Sequence, residues 1–246
     1  MTRISVVIPV LNDARMLEIC LHTLRAQTRR ADEIIVVDNG SSDDSVCVAE
    51  AAGARVIGEG RPGITAAAAA GFDEADGDII ARCDADSRLP SDWLETIERH
   101  FHTHPDAVAV TGPGRFYDLS RVATAVAQVF YIDAYFLLMH AALANNVLFG
   151  SNCAVLAPAW RRISETVPRD DTELHDDIDL SFRLFPSATV LHDRALVVGI
   201  SGRPFNSLTG AHRRVRRALH TLAIHWPDQR PSRRWQARRA ARLRTR

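Results

Sequence analysis

The sequence contains no lysine, so all thirty basic residues are arginine. Its four cysteines, Cys20, Cys47, Cys83 and Cys153, form no C-x-x-C pair and stand at no zinc-ligand spacing from a histidine. That excludes a zinc ribbon or a disulfide scaffold and leaves a reduced, cytoplasmic setting as the expectation. The longest apolar stretches are all interrupted before the roughly 18 residues that a membrane span needs. The opening MTRISVVIPV has too short an apolar run for a signal peptide, with no small-residue cleavage site after it. The expected location is therefore the cytoplasm, at most peripheral to the inner face of a membrane. What remains is ordinary globular composition, 46% hydrophobic and 24% charged over 246 residues, enough for one large α/β core with additions.

The formal charge of zero hides a division. Residues 1–211 carry 18 arginines against 29 acidic side chains, whereas residues 212–246 carry 12 arginines against Asp228 alone. An acidic body thus precedes a strongly basic tail. Arginines interleaved with Trp226 and Trp235 suit an anionic membrane surface, and equally a solvated end that binds nothing. Nucleic acid is not an expected partner, because the acidic body would oppose wide phosphate contact.

Ile4 to Ile8 and Ile34 to Val37 are β-branched runs that read as buried parallel strands, with Leu17, Leu21 and Leu24 at helical spacing between them. Ser41 to Asp44 supply helix N-cap types before Val46 to Ala52. Arg55 to Ile57, the alanine run from Ala66, and Asp78 to Cys83 continue the alternation. Alternating strands and helices imply right-handed crossovers and an open, mostly parallel sheet, which binds its ligand beyond the carboxyl ends of its strands. Three polar clusters then meet at one rim: Pro9 to Asp13, Asp38 to Asp43, and Asp84 to Asp86. Farther along, Val108 to Gly112 reads as another strand. Val122 to Phe149 reads as a long apolar helix, in the protein interior by preference over an interface. Ser201-Gly202-Arg203 reads as a surface turn in preference to an arm carrying a guanidinium to a phosphate.

Several residue groups have chemistry in reach, each with a plainer alternative. Asp84-Ala85-Asp86 places two carboxylates where Mg²⁺ or Mn²⁺ could be shared with ligand phosphates, or where they merely precede a helix. Asp38 at a strand end could accept a hydrogen bond from a base or ribose, or simply begin a turn. Asp176, Asp177 and Asp179 cluster at a helix start, where acidic residues suit the dipole. On that helix Asp176 and Asp179 share a face and Asp177 points elsewhere, so the three need not do one job.

Taken in order, SVVIPVLN (Ser5 to Asn12), EIIVVDNGSSDDS (Glu33 to Ser45), GDIIARCDAD (Gly77 to Asp86), FGSNCA (Phe149 to Ala154) and DDIDLSFRL (Asp176 to Leu184) resemble the signature segments of the family 2 glycosyltransferases. The resemblance runs over roughly residues 3–200. It implies a GT-A fold: an open, mostly parallel nucleotide-binding sheet flanked by helices, here with a helical basic extension. The implied organisation is a transferase domain over 1–211, with a nucleotide-sugar half at 1–115 and an acceptor half at 116–211, followed by the tail at 212–246. The implied activity is transfer of one sugar, with inversion, from a nucleotide-diphosphate sugar (a UDP-sugar favoured) to a hydroxyl acceptor that is lipid-linked, a glycan or a small molecule. By the same resemblance Pro9, Leu11 and Asn12 line the nucleotide, Asp38 contacts the base, and Asp84 bonds the ribose or assists the metal. Asp86 ligates Mg²⁺ or Mn²⁺. Gly150, Ser151 and Asn152 border the acceptor, Asp177 is the base, and Asp176 stands where glutamate is usual. The tail is then dispensable for activity on a soluble acceptor.

Departures qualify the match. Ala67-Ala68-Ala69 replaces the A-R-N that many relatives carry, leaving Arg61 or Arg82 to compensate. The Q-x-x-R-W segment of processive members is missing, which disfavours a polymerising synthase. A nucleotidyltransferase is the alternative enzyme, but Pro9-Val10-Leu11-Asn12 lacks the glycine and basic residues of its phosphate loop. Arg88 stands where a D-x-D-x-T phosphohydrolase needs threonine or valine. A non-catalytic nucleotide-sugar-binding module is the alternative outside enzymes, supported by the missing arginine.

Overall fold

The computed structural model describes residues 2–184, 186–203 and 208–244. Its first half delivers the alternation expected: β1 (Ile4–Val10), α1 (Ala14–Arg25), β2 (Glu33–Asp38), α2 (Ser45–Ala51), β3 (Arg55–Gly58), α3 (Ile64–Asp73) and β4 (Ile79–Arg82). β1 pairs in parallel with β2 and β4, and β2 with β3. The apolar residues of α1, Leu17, Cys20, Leu21 and Leu24, are buried, as one face of an amphipathic helix on a sheet must be. The alanine run packs α3 closely on the other side of the sheet. A Cβ at Gly71 would lie 2.3 Å from Val7 Cγ1 and 2.7 Å from Val37 Cγ2, so only glycine allows that approach.

After α4 (Trp93–Thr103), β5 (Ala107–Thr111) and β6 (Gly114–Phe116), the chain enters one continuous helical segment, Arg121–Leu143. It consists of α5 (Arg121–Ala127), a π-helical stretch Gln128–Asp133, and α6 (Ala134–Leu143). Here the interior reading fails. Ile132, Phe136 and Leu143 are buried, but most of the segment faces outward. The segment is also long and apolar enough, by length and composition, to cross a membrane, despite its scattered polar residues. Its low amphipathicity explains the misreading, since apolar residues all round offer no periodic cue to an exposed side.

FGSNCA turns at Gly150 and Ser151 and runs into β7 (Cys153–Leu156), which lies within the sheet between β4 and β5. With α7 (Ala157–Arg161), α8 (Asp176–Arg183), β8 (Thr189–His192) and β9 (Val198–Ile200), the seven-stranded order is β3-β2-β1-β4-β7-β5-β8. β7 runs antiparallel to both neighbours, and β6 and β9 form a separate parallel pair.

The basic tail is folded. α9 (Leu208–Gln229) and α10 (Pro231–Arg244) return to the body, where Thr221, Leu222, His225 and Arg234 are buried. Arg234 donates to the carbonyls of Leu143 (2.6 Å), Phe182 (2.9 Å) and Leu184 (3.3 Å), so one guanidinium closes the C-terminal ends of α6 and α8. Burial, with Arg238 nearby, draws its pKa down to about 10, still protonated at neutral pH. Of the two readings of the tail, the solvated end does not agree with the packing of its described residues.

Candidate active site

The ends of β1 and β2 are joined by their own side chains. Asn12, in the left-handed region at φ 52°, accepts from Ser42 N (2.7 Å), while its amide donates to Ser41 Oγ (3.0 Å). Asp38 accepts from the Ser41 amide, three residues on, at 3.1 and 3.3 Å, and its carboxylate is half-buried at the rim. Asn39 extends the framework to the next loop, bonding the carbonyls of Glu59 and Arg61 and the amide of Gly63. Pro9 is buried in β1 and Leu11 is exposed. Pro9, Leu11, Asn12 and Asp38 thus share the carboxyl end of the sheet; they do not line the cavity that holds the other carboxylates, but Arg203 bridges Asp13 of the same loop to Asp86 in that cavity.

That cavity has a volume of about 190 Å³, and its wall includes Asp84, Asp86, Gly150, Ser151, Asp176 and Asp177. Three segments far apart in sequence are brought together by the pairing of β4 with β7 and the docking of α8 beside them. Arg82, buried at the end of β4, is the internal cation. Its guanidinium lies 3.5 Å from Asp84 and pairs closely with Asp176. Gly150 passes directly over it, since a Cβ there would sit 3.0 Å from Arg82 Nη2. Asp84 also accepts from Ser151 Oγ. Burial pushes the Asp84 carboxyl up; Arg82 offsets this in part and the neighbouring Asp86 adds to it.

Asp177, only 5% exposed, lies in the first turn of α8. Its Oδ2 accepts from Gly150 N at 3.0 Å, and Oδ1 lies 2.5 Å from His175 Nδ1 without the direction of a good hydrogen bond. Burial alone would raise this carboxyl; the charge of His175, the Gly150 amide and Arg82 bring it instead to about 2. His175 moves up despite its own burial, because Asp177 and Asp176 surround it. Asp177 is thus held ionised. Asp179 has a different setting, with Arg183 bound through two nitrogens at 2.6 and 2.9 Å and His225 at 2.7 Å, all inside the fold. The grouping differs from the helix faces read from the sequence: Asp176 lines the cavity beside Asp177, although it also borders the recess that Asp179 lines.

Asn152 is absent from the cavity wall. It is fully buried, accepting from Trp93 Nε1 at 2.8 Å and donating to Leu196 O at 2.6 Å, so it fastens α4 to the strand region. The missing A-R-N arginine has a partial answer in Arg82, which with Ala68 lines a small recess between α3 and α8. Arg61, by contrast, is occupied by Glu59.

Three arginines and a histidine stand at the candidate site beyond the residues chosen for it from the sequence. His175 stands beside Asp177, and Arg214 and Arg217 of α9 line the same cavity. Arg203 bonds Asp86 at 2.7 Å and Asp13 at 3.0 Å, so Ser201-Gly202-Arg203 is more than a surface turn. The spacing of three between Arg214 and Arg217 marks one helix face, but only the return of the tail shows which way it looks.

The donor set suits a hard divalent cation. Asp84 and Asp86 offer carboxylate oxygens two residues apart on one wall, and Asp84 is short of compensating positive charge. Arg203 now lies against Asp86, the place where such a charge is wanted. His175, Asp176 and Asp177 form a second group whose ligand atoms lie within 4.8 Å of one another.

Comparison with known proteins agrees with this layout. The model of the family described as "Glycosyl transferase family 2" matches residues 5–157. An undecaprenyl-phosphate 4-deoxy-4-formamido-L-arabinose transferase of Sodalis glossinidius is 38% identical over 105 residues, 39% of this chain and 32% of that protein. The chain spans less than half the length of such curated relatives. Among solved structures, the mannosyltransferase PcManGT of Pyrobaculum calidifontis, in complex with GDP-Man and Mn²⁺, superposes with a TM-score of 0.74 at 19% identity, over 98% of this chain and 69% of that one. Glucosyl-3-phosphoglycerate synthase of Mycobacterium tuberculosis, with Mn²⁺, UDP and glucosyl-3-phosphoglycerate, gives 0.64 at 23% identity, over 90% and 80%. The sheet with its flanking helices is the GT-A fold.

Proposed function

The chain belongs to glycosyl transferase family 2, and we propose that it transfers one sugar, with inversion, from a nucleotide-diphosphate sugar to an acceptor hydroxyl. The observation that carries the reading is the meeting of Asp177 with Asp84 and Asp86 at one cavity. An inverting displacement needs a base on the acceptor side and charge neutralisation on the leaving-group side, and these two sets can divide the work.

Asp177 is assigned as the base. As the acceptor oxygen bonds to the anomeric carbon and the carbon–phosphate oxygen bond breaks, the hydroxyl proton passes to Asp177 and the nucleoside diphosphate departs. A low pKa does not disqualify it: the proton becomes strongly acidic as its oxygen forms the new bond, and reach matters most. Gly150 N and His175 fix the carboxylate for that reach. Asp86, with Asp84 beside it, would hold Mg²⁺ or Mn²⁺, whose charge would stabilise the departing diphosphate. Arg214 and Arg217 would add fixed positive charge on the same wall. Asp38, with Pro9, Leu11 and Asn12 around it, would receive the base and ribose. Asp176 would hold Arg82 in place, and Gly150 and Ser151 would border the acceptor.

The donor is proposed to be a UDP-sugar, although GDP-Man is the ligand of one structural neighbour. A lipid-linked hydroxyl is favoured over a glycan or a free small molecule, since a relative cited above is named for transfer to a lipid, undecaprenyl phosphate. The division into a transferase domain over 1–211 and a basic tail over 212–246 is kept as part of this reading, with α9 starting at Leu208. The direct test is calorimetry of UDP and GDP binding with and without Mn²⁺. Metal-dependent binding of either nucleotide supports the assignment, and binding of neither refutes it.

A further inference from the structure

Twelve large apolar side chains stand exposed among the described residues, and eleven of them lie on three helices. Six are on Arg121–Leu143: Val122, Val126, Val129, Phe130, Leu137 and Leu138, between 52% and 78% exposed. The opposite side of this segment is fixed to the body through buried Ile132, Phe136 and Leu143 and a hydrogen bond from Tyr135 Oη to Leu148 O. The outward face is therefore held in a defined orientation. Its mean hydropathy, 1.6 over the best window, would suit a spanning helix. A helix fixed along one side to a body rich in charged residues fits a place along the bilayer surface better than one across it.

Basic helices flank this face. Trp235 of α10 donates to Ala141 O at 3.0 Å and meets His140 edge-on, placing α10 directly beside α6. α10 leaves Arg233 and Arg239 exposed. On α9, Val215, Leu219 and Trp226 are exposed at spacings of four and seven, with Arg213 and Arg216 among them.

We propose that Arg121–Leu143 and the two arginine-rich helices together form a docking surface for an anionic lipid bilayer, with the apolar face of Arg121–Leu143 lying in the headgroup–acyl boundary. Charge complementarity selects this occupant. Among the described residues from α9 through α10, Arg213, Arg230, Arg233 and Arg239 are exposed and Asp228 is the single acidic side chain, whereas the body is acidic. A second copy docked by the same face would bring arginine against arginine. The docking segment is also joined to the site, since Tyr131 from its π-helical stretch lines the active cavity. The surface itself does not depend on the transferase reading, so either can fail alone.

Co-sedimentation of the full chain with vesicles tests this without turnover, using phosphatidylcholine alone and phosphatidylcholine with roughly one-third phosphatidylglycerol. The wild type is expected to bind the anionic vesicles. Phe130→Glu/Leu138→Glu should lower partitioning at least ~10-fold at both low and high salt, because apolar insertion is lost. Arg233→Gln/Arg239→Gln should lower it at low salt only. Should the glutamate variant melt below the wild type, Phe130→Ser/Leu138→Ser carries the same expectation. Three results would overturn the proposal: no sedimentation of the wild type with anionic vesicles; wild-type sedimentation of a folded Phe130/Leu138 variant; or a lipid-free dimer, in sedimentation velocity, that the same substitutions dissolve.

Discussion

Replacing Asp177 with asparagine exchanges one carboxylate oxygen for an amide group in a buried position. Gly150 N can still donate to the remaining oxygen, so the backbone of the loop keeps its partner. What is lost is the charge. The interval between the ordinary carboxyl value of 3.8 and about 2 corresponds to on the order of 2 kcal/mol of folding free energy at neutral pH. The effect on chemistry should be larger: loss of a general base lowers kcat by about 10²–10⁴, or roughly 3–5 kcal/mol in the barrier. Nucleotide and metal affinity should remain close to wild type, because Asp177 touches neither in the proposed arrangement. The sign with pH is separable for the two partners. The depressed carboxyl contributes stability above pH 3.8 that is lost as pH falls toward 2; the raised His175 contributes stability below pH 6.5 that is lost as pH rises through its folded value. Asp177→Asn should therefore cost most stability between these limits, near pH 4–6.5, as denaturant melts across pH would show. Asp179→Asn should do the reverse, losing stability through Arg183 and His225 while the folded fraction turns over normally. Near-normal kcat in folded Asp177→Asn, with Asp179→Asn folded but inactive, would refute the base assignment.

Two other substitutions address the leaving-group side and the folded tail. Asp86→Asn should abolish transfer and remove the Mn²⁺-dependent part of nucleotide affinity in calorimetry, since the carboxylate next to the diphosphate loses its charge; unchanged metal-dependent affinity would refute its role. Arg234→Leu should destabilise the fold by about 3 kcal/mol or more, because it strands carbonyls at the ends of two helices. Denaturant melts measure this, and a wild-type midpoint would show that the tail is an appendage after all.

The β-branched runs of β1, β2 and β4 were legible because buried parallel strands leave an unbroken apolar signature, and the strand-end rule then located the acidic clusters. The signature segments brought Asp84, Asp86 and Asp177 to notice, and α8 separates Asp177 from Asp179 as helical spacing requires. β7 starts at the last two residues of FGSNCA and has only four residues after a turn, which offer no period to read. The roles of Asn152 and Arg234 depend on distant carbonyls and an indole, which no local pattern encodes. Arg214 and Arg217 carried a spacing cue, but the composition of the tail outweighed it until its helices were seen returning to the site. The outward face of Arg121–Leu143 was lost for a related reason: a segment apolar on every side looks like core.

The central claim is glycosyl transfer from a nucleotide-diphosphate sugar, and turnover tests it most directly. The purified chain would be incubated with a panel of UDP- and GDP-sugars and Mn²⁺ or Mg²⁺, with nucleoside diphosphate release followed by chromatography and Asp177→Asn run in parallel. Slow metal-dependent release of nucleoside diphosphate from one donor, reduced at least ~10²-fold by the substitution, is the predicted result. Release of nucleoside monophosphate with sugar phosphate, or equal release by both proteins, would contradict it.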